Sequence, residues 1–287
     1  MALPLGARKA VRRGVDAFGK HTSAVRMLPD YIIIGAMKGG TSALYEYLVR
    51  HPLIGRSTNE EVHYFSLNYD RGEDWYRGHF PTVMRKRLVK MRHGRDLVTG
   101  ESTPYYIFHP HALQRLVALV PNAKLIVVLR DPVTRAYSHF NHARQMGVED
   151  IPSFQDALDA EPERLAGEVE RMLADPTYNS PVHWHNSYQS RGLYVEQLQR
   201  LFSLVPERQV LILSAEEMSK NPAVVHQKTL QFLGLPVVKL SRYPRQNARR
   251  YAKPMDERTR QRLIEYFTEP NERLYRFLDM DFGWARA

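Results

Sequence analysis

The sequence predicts an α/β fold in three layers, with a central, mainly parallel sheet between helices. Three observations lead there. A β-branched run, Ile32 to Ile34, enters a glycine-rich turn and then an apolar-periodic stretch, Ala43, Leu44, Tyr47 and Leu48, which is strand, turn and helix. Two further runs, Lys124–Leu129 and Gln209–Leu213, are almost continuously apolar, as strands buried on both faces must be. Between these runs the periodicity switches repeatedly from strand to helix, and that alternation is the pattern of parallel sheets with crossover helices.

Taken in order, His51-Pro52 closes the first helix. Asn59 to Phe65 mixes carboxylates, an imidazole and aromatics, and Asp74-Trp75-Tyr76 starts a short amphipathic segment that stops near Pro81. Arg85 to Arg95 reads as a basic loop. It leads to a strand around Leu97–Val98 that ends in the polar turn Glu101-Ser102-Thr103-Pro104. His111 to Leu119 has helical spacing, ended by Pro121-Asn122. After the strand at 124–129, Val133 to Arg144 is a helix with Pro132 just inside its start. A polar, helix-prone stretch at about 145–190 reads as an insertion. Gly192 to Leu204 is amphipathic, a helix from Pro222 to Leu233 ends at Gly234, and a basic loop covers Ser241 to Lys253. A final helix is expected at about Asp256 to Tyr266, followed by Phe282-Gly283-Trp284. With no repeat, low-complexity tract or clear linker, residues 29–287 read as one domain behind a basic extension, residues 1–28.

The turn after the first strand carries Gly35, Gly39, Gly40, one lysine, Lys38, and two hydroxyls, Thr41 and Ser42. Backbone N–H groups of such a turn and of the helix it opens converge on one point, where glycine allows close approach and lysine adds a full charge. This is an anion cradle for a phosphate-bearing ligand. A Walker A loop places its lysine directly after the last glycine. Here Thr41 stands at that place and Lys38 precedes the glycine pair, so the loop is P-loop-like without being a Walker A loop. The bland alternative is a solvated turn with a chance lysine.

The 287 residues include 41 basic and 31 acidic ones, a formal charge of +10, which calls for an anionic partner. Zinc-finger, basic-zipper and RNA-recognition signatures are absent from the sequence, so nucleic acid is not expected. The chain has no cysteine, which excludes disulfides, thiolate metal sites and cysteine nucleophiles and fits a reducing, cytoplasmic location. No apolar run approaches the roughly 20 residues of a membrane span. A basic N-terminal arm touching a membrane surface is an alternative to an ordinary solvated extension.

Four polar clusters follow strands or lie just past the first helix: Lys38 to Ser42, Glu61 with His63, Glu101 to Thr103, and Arg130 with Ser138. In a doubly wound sheet these can share one crevice. Arg130 follows a strand directly and Ser138 lies two turns along the next helix, which suits a second phosphate. The alternative is that Arg130 pairs with Asp131 or simply begins the helix.

With these residues in view, the chain resembles the sulfotransferases that use 3′-phosphoadenosine 5′-phosphosulfate (PAPS), and within them the heparan sulfate glucosaminyl 3-O-sulfotransferases. Lys38-Gly39-Gly40-Thr41 is similar to their 5′-phosphosulfate loop, and Leu129 to Ser138 to their 3′-phosphate element. Asn59 to Phe65, Trp75-Tyr76, Glu101 with Thr103-Pro104, and Pro270-Asn271 with Phe282-Gly283-Trp284 match in chain order. Two departures stand out. Ser102 replaces a lysine, and Asn247-Ala248-Arg249-Arg250 keeps the last arginine of a late phosphate loop but not its lysine.

The resemblance implies PAPS as donor co-substrate, held by Lys38, Gly39, Gly40, Thr41, Ser42, Arg130, Ser138 and Arg250. It implies sulfuryl transfer to a hydroxyl, or as a second choice an amine, of a glycan-like acceptor. Glu61 would be the general base, His63 would orient it or the acceptor, and Lys38 would stabilise the leaving phosphate. No metal is expected, because a singly charged sulfuryl group does not need the neutralisation that phosphoryl transfer does. Two other classes stay open at this point: a P-loop-type kinase and a non-catalytic protein binding anionic glycans.

Overall fold

The protein is described by a computed structural model covering residues 14–244, 254–285 and 287. Its centre is a five-stranded sheet in the order β2-β3-β1-β4-β5. The strands are β1 (Tyr31–Gly35), β2 (Ile54–Arg56), β3 (Val98–Ser102), β4 (Lys124–Leu129) and β5 (Val210–Ser214). Every pairing is parallel. Helix α1 covers residues 14–21. Then α2 (Thr41–Leu48) follows β1, while α3 (Glu73–Arg77) and α4 (Val83–His93) lie between β2 and β3. Between β3 and β4 runs α5 (Ala112–Leu119). The long β4–β5 connection holds α6 (Pro132–Met146), α7 (Phe154–Leu165), α8 (Glu168–Ala174), α9 (Pro181–His185) and α10 (Tyr194–Phe202). Beyond β5 come α11 (Ala215–Lys220), α12 (Pro222–Leu233) and α13 (Glu257–Leu278).

Side-chain alternation along the strands divides the interior into two layers. Ile32, Ile34, Leu125 and Val127 pack with α5, α10 and the end of α13, whereas Tyr31, Ile33, Ile126 and Val128 pack with α2 and α12. All five residues of β1 are buried, which explains its unbroken apolar sequence. A third cluster joins α6, α7 and α13 through Phe140, Phe154, Leu263 and Phe267. The chain leaves β1 toward β3 and returns to β4 on its other side. β1 is therefore a topological switch point, and the crevice opens beyond the carboxyl ends of β3, β1 and β4.

Three sequence expectations need correction. The supposed basic loop at Arg85–Arg95 is mostly helix α4: the Thr82 hydroxyl accepts from the Arg85 amide at 3.2 Å, and Gly94 ends the helix at φ 67°. Its arginines, lysines, leucine and methionines are good helix formers, so a sequence that gives the core little apolar surface still forms a helix. Strand β2 was not foreseen; it has three residues, one a glycine. Helix α13 does not stop near Tyr266 but runs on through Pro270, because Phe267, Leu274 and Tyr275 continue the buried stripe.

Candidate functional site

Beyond β1 the backbone turns back on itself. Lys38 has φ 69° and Gly40, the N-cap of α2, has φ 97°. A β-carbon on Gly39 would lie 2.3 Å from the Val128 carbonyl oxygen, so only glycine lets this turn sit against β4. The free N–H groups at the start of α2, Thr41 and Ser42 among them, face the same end of the sheet with the positive pole of the helix behind them.

From β4, Arg130 crosses to this turn. Its guanidinium donates to the Lys38 carbonyl at 3.1 Å and to the Thr134 hydroxyl at 3.3 Å. Asp131 is occupied as the N-cap of α6, accepting from the Val133 and Thr134 amides at 3.2 and 3.3 Å. Ser138 is buried on the next turns of α6 and borders the same cavity. The Asp131 amide donates to Glu216 at 3.0 Å, and the Trp284 indole N–H donates to the same carboxylate at 3.3 Å. Glu216 thus fastens β4, α11 and the C-terminal segment together.

On the β3 side, Glu61 and His63 form a pair, Oε2 to Nε2 at 2.9 Å. Glu61 is 42% exposed and His63 14%, so the carboxylate faces the opening and the imidazole stands behind it. His63 has φ 55° and meets the Trp184 ring edge-on at 5.5 Å. Trp184 and His185 come from α9, in the stretch read as an insertion.

The segment is anchored from beneath. The Thr103 hydroxyl accepts from the Val62 and His63 amides at 3.1 and 3.2 Å and donates to Glu101 at 2.6 Å. Fully buried Glu101 also accepts from Val62 N–H at 3.2 Å, the Tyr76 hydroxyl at 2.7 Å and the Tyr106 hydroxyl at 3.1 Å. Burial raises its carboxyl above the usual range although these donors favour the charged form.

Behind the cradle lies Arg191, buried between the Tyr105 and Phe108 rings and hydrogen-bonded to the Ser187 hydroxyl and to the carbonyls of His183 and Trp184. Its guanidinium also donates to the Met37 sulfur at 2.9 Å. Burial lowers its pKa to about 9, which leaves it a cation at neutral pH. Nothing local in the sequence marks Arg191, Glu216 or Trp184 as site residues, since each acts through partners distant along the chain.

These parts border one cavity of about 910 Å³. Lys38, Gly39, Gly40, Thr41, Ser42, Glu61, His63, Arg130 and Ser138 all line it, with Tyr105, Trp184, His185 and Trp284 among the other wall residues. Arg250, also expected at the site, lies outside the described residues. Among the described residues no group of three histidines or carboxylates is placed to hold a metal ion, and no helix is long and apolar enough to cross a membrane.

Residues 28–266 match the sulfotransferase domain family. The chain is 30% identical to human heparan sulfate glucosamine 3-O-sulfotransferase 3B1, over 91% of this chain and 66% of that protein. It is 28% identical to the membrane-associated sulfotransferase kil1 of Dictyostelium discoideum, over 90% and 66% respectively. The chain therefore spans just under two thirds of these relatives' lengths. Among solved structures, a sulfotransferase from Alicyclobacillus acidocaldarius superposes with a TM-score of 0.66 at 27% identity, over 90% of this chain and 98% of that one.

Proposed function

The chain belongs to the sulfotransferase domain family, and from that premise we propose that it transfers a sulfuryl group from PAPS to a carbohydrate hydroxyl. The observation that carries this reading is the single cavity onto which two cationic elements and a carboxylate–imidazole pair all open. Lys38 with its turn, and Arg130 with Ser138, come from adjacent strands and suit a ligand bearing two separate phosphates. The glycine at position 39 lets the turn that carries Lys38 sit close against β4, next to Arg130.

When bound, the donor supplies a sulfuryl group on a 5′-phosphate and a separate 3′-phosphate that ATP lacks. Gly39–Ser42 amides cradle the 5′ end, and the Lys38 ammonium neutralises charge building on the departing phosphate oxygen. Arg130 and Ser138 hold the 3′-phosphate; a role for Arg250 at the nucleotide rests on the resemblance alone. Glu61 takes the proton of the acceptor hydroxyl as that oxygen bonds to sulfur, and His63 N–H keeps the carboxylate aimed. The arrangement puts donor chemistry on β1 and β4 and proton removal on the β3 side. The Trp184 ring beside His63 supports a sugar acceptor, whose apolar ring face packs on aromatics. Similarity to 3-O-sulfotransferases of heparan sulfate supports the hydroxyl over the amine. Ser102, buried with its hydroxyl unpartnered among the described residues, stands where the resemblance leads one to expect a lysine. We read residues 29–287 as one catalytic domain with 145–190 inserted, and the lack of cysteine supports a reducing compartment.

Calorimetry tests the donor. The purified protein should bind 3′-phosphoadenosine 5′-phosphate far better than ADP, and Arg130→Ala should lose about 1.5–3 kcal/mol of that affinity, the scale of a hydrogen bond to a charged group. Equal affinity for ADP would reject PAPS. A mass-spectrometric screen of hydroxylated acceptors then identifies the product.

A further inference from the structure

Helix α4, which the cavity does not use, has an unusual distribution of residues. Its eleven residues, VMRKRLVKMRH, contain no acid and bury no side chain completely. Val89 is the apolar contact with the core, and Lys86 beside it is also half-buried. On the opposite side Met84, Leu88 and Met91, spaced four and three residues apart, form one stripe. They are 59%, 54% and 75% exposed, and Met91 is the most exposed large apolar side chain among the described residues. At 3.6 residues per turn, Arg87 and Lys90 border this stripe on one side and Arg85 and Arg92 on the other. Lys90 pairs with Asp96 at 3.3 Å, just beyond the helix.

We propose that α4 is a docking helix for the surface of an anionic lipid bilayer. The stripe points away from the body of the protein and its cations stand on both flanks. A helix lying in a lipid interface is built this way, with apolar side chains below the headgroups and basic ends at their level. A soluble polyanion rewards only the charges and leaves three large apolar side chains in water. An anionic bilayer rewards both. Helix α4 runs into the amino-terminal end of β3, whereas the cavity lies at the carboxyl ends of the strands, so docking leaves the cavity open.

Vesicle flotation with the full chain tests this, comparing phosphatidylcholine with phosphatidylcholine containing phosphatidylserine. The protein should float with the anionic vesicles and be released by salt. Met84→Ser/Leu88→Ser/Met91→Ser should weaken binding at least about tenfold. Arg87→Gln/Arg92→Gln should weaken it about thirtyfold at low salt. Both variants should keep the wild-type thermal shift with 3′-phosphoadenosine 5′-phosphate, which shows that they fold. Absence of flotation overturns the proposal. So does a triple serine variant that floats like the wild type and is competed off by heparin, because that describes a polyanion-binding surface instead.

Discussion

Thr103 offers a sharp test of how the Glu61–His63 pair is positioned. Valine has nearly the shape of threonine but cannot hydrogen-bond. Thr103→Val removes the acceptor of the His63 amide and the 2.6 Å bond to Glu101, while the Val62 amide keeps Glu101 as a partner at 3.2 Å. One neutral bond contributes about 0.5–1.5 kcal/mol and one to a carboxylate about 1.5–3 kcal/mol, so the loss is about 2–4 kcal/mol. With an unfolding entropy of about 2 cal/mol/K per residue, Tm should fall by about 3–7 °C. Freed at His63, the pair loses its aim, and kcat should fall by up to about a hundredfold, the scale of an ångström-sized misplacement. Affinity for 3′-phosphoadenosine 5′-phosphate should hold, and Thr103→Ser, which keeps the hydroxyl, should restore most of kcat. Steady-state kinetics with the identified acceptor, alongside calorimetry and thermal melts, reads all three. A lowered Tm with unchanged kcat would refute the positioning role and leave Thr103 a purely structural residue.

Lys38→Ala should lower kcat more than it weakens binding of the product nucleotide, because its charge partner develops in the transition state; a change confined to KM would make it a binding residue. Glu61→Gln should fold and bind nucleotide normally but turn over at least about a hundredfold more slowly, with His63→Ala affected less if the imidazole only orients. Wild-type turnover would return Glu61 to the role of a surface carboxylate. Glu149 makes an acid-stability prediction. Burial alone raises its carboxyl, but hydrogen bonds from Arg164, Tyr188 and the Ile151 amide outweigh that and bring it to about 2. A depressed folded-state value stabilises above the ordinary carboxylate range and is lost as pH falls from about 4.5 toward 2, a contribution of about 3 kcal/mol. Denaturant melts should show Glu149→Gln less stable than wild type at pH 7 and converging with it near pH 2; parallel curves would contradict the assignment.

The parts of the fold legible in the sequence are those whose burial is complete. Tyr31–Gly35 and Lys124–Leu129 have no polar face, so their residues identify them without help from neighbours. Helix α12 shows its own ends, with Pro222 at the start and Gly234 at φ 75° after it. Helix α4 was hidden by the opposite condition: it gives the core little more than Val89, and its many basic residues make the segment look like a loop. Strand β2 is held by its pairing with β3 rather than by its own three residues. At the site, residues on turns after strands could be singled out because the turn chemistry is local. Glu101 was visible as a carboxylate after a strand, but not as the acceptor of two tyrosine hydroxyls and an amide, since Tyr76 and Val62 precede it by 25 and 39 residues. Arg191 and Glu216 likewise make their contacts at the site with partners distant along the chain.

The order of strands has a consequence for how this site can change. Lys38 follows β1, Arg130 follows β4 and Ser138 lies on α6, and Arg130 donates to the Lys38 carbonyl, so the two cationic elements are tied together as one gauge. Glu61 and His63 hang from β3 through Thr103 and Glu101, with Trp184 reaching over from another layer. The seam between these assemblies runs along the β1–β3 boundary. On the proposed reading, residues on the β3 side, Ser102 among them, can be exchanged without altering the spacing of the gauge. A new acceptor specificity is therefore reachable, on the same reading, by rebuilding residues 59–65, 101–103 and α9 while the proposed nucleotide end keeps its dimensions.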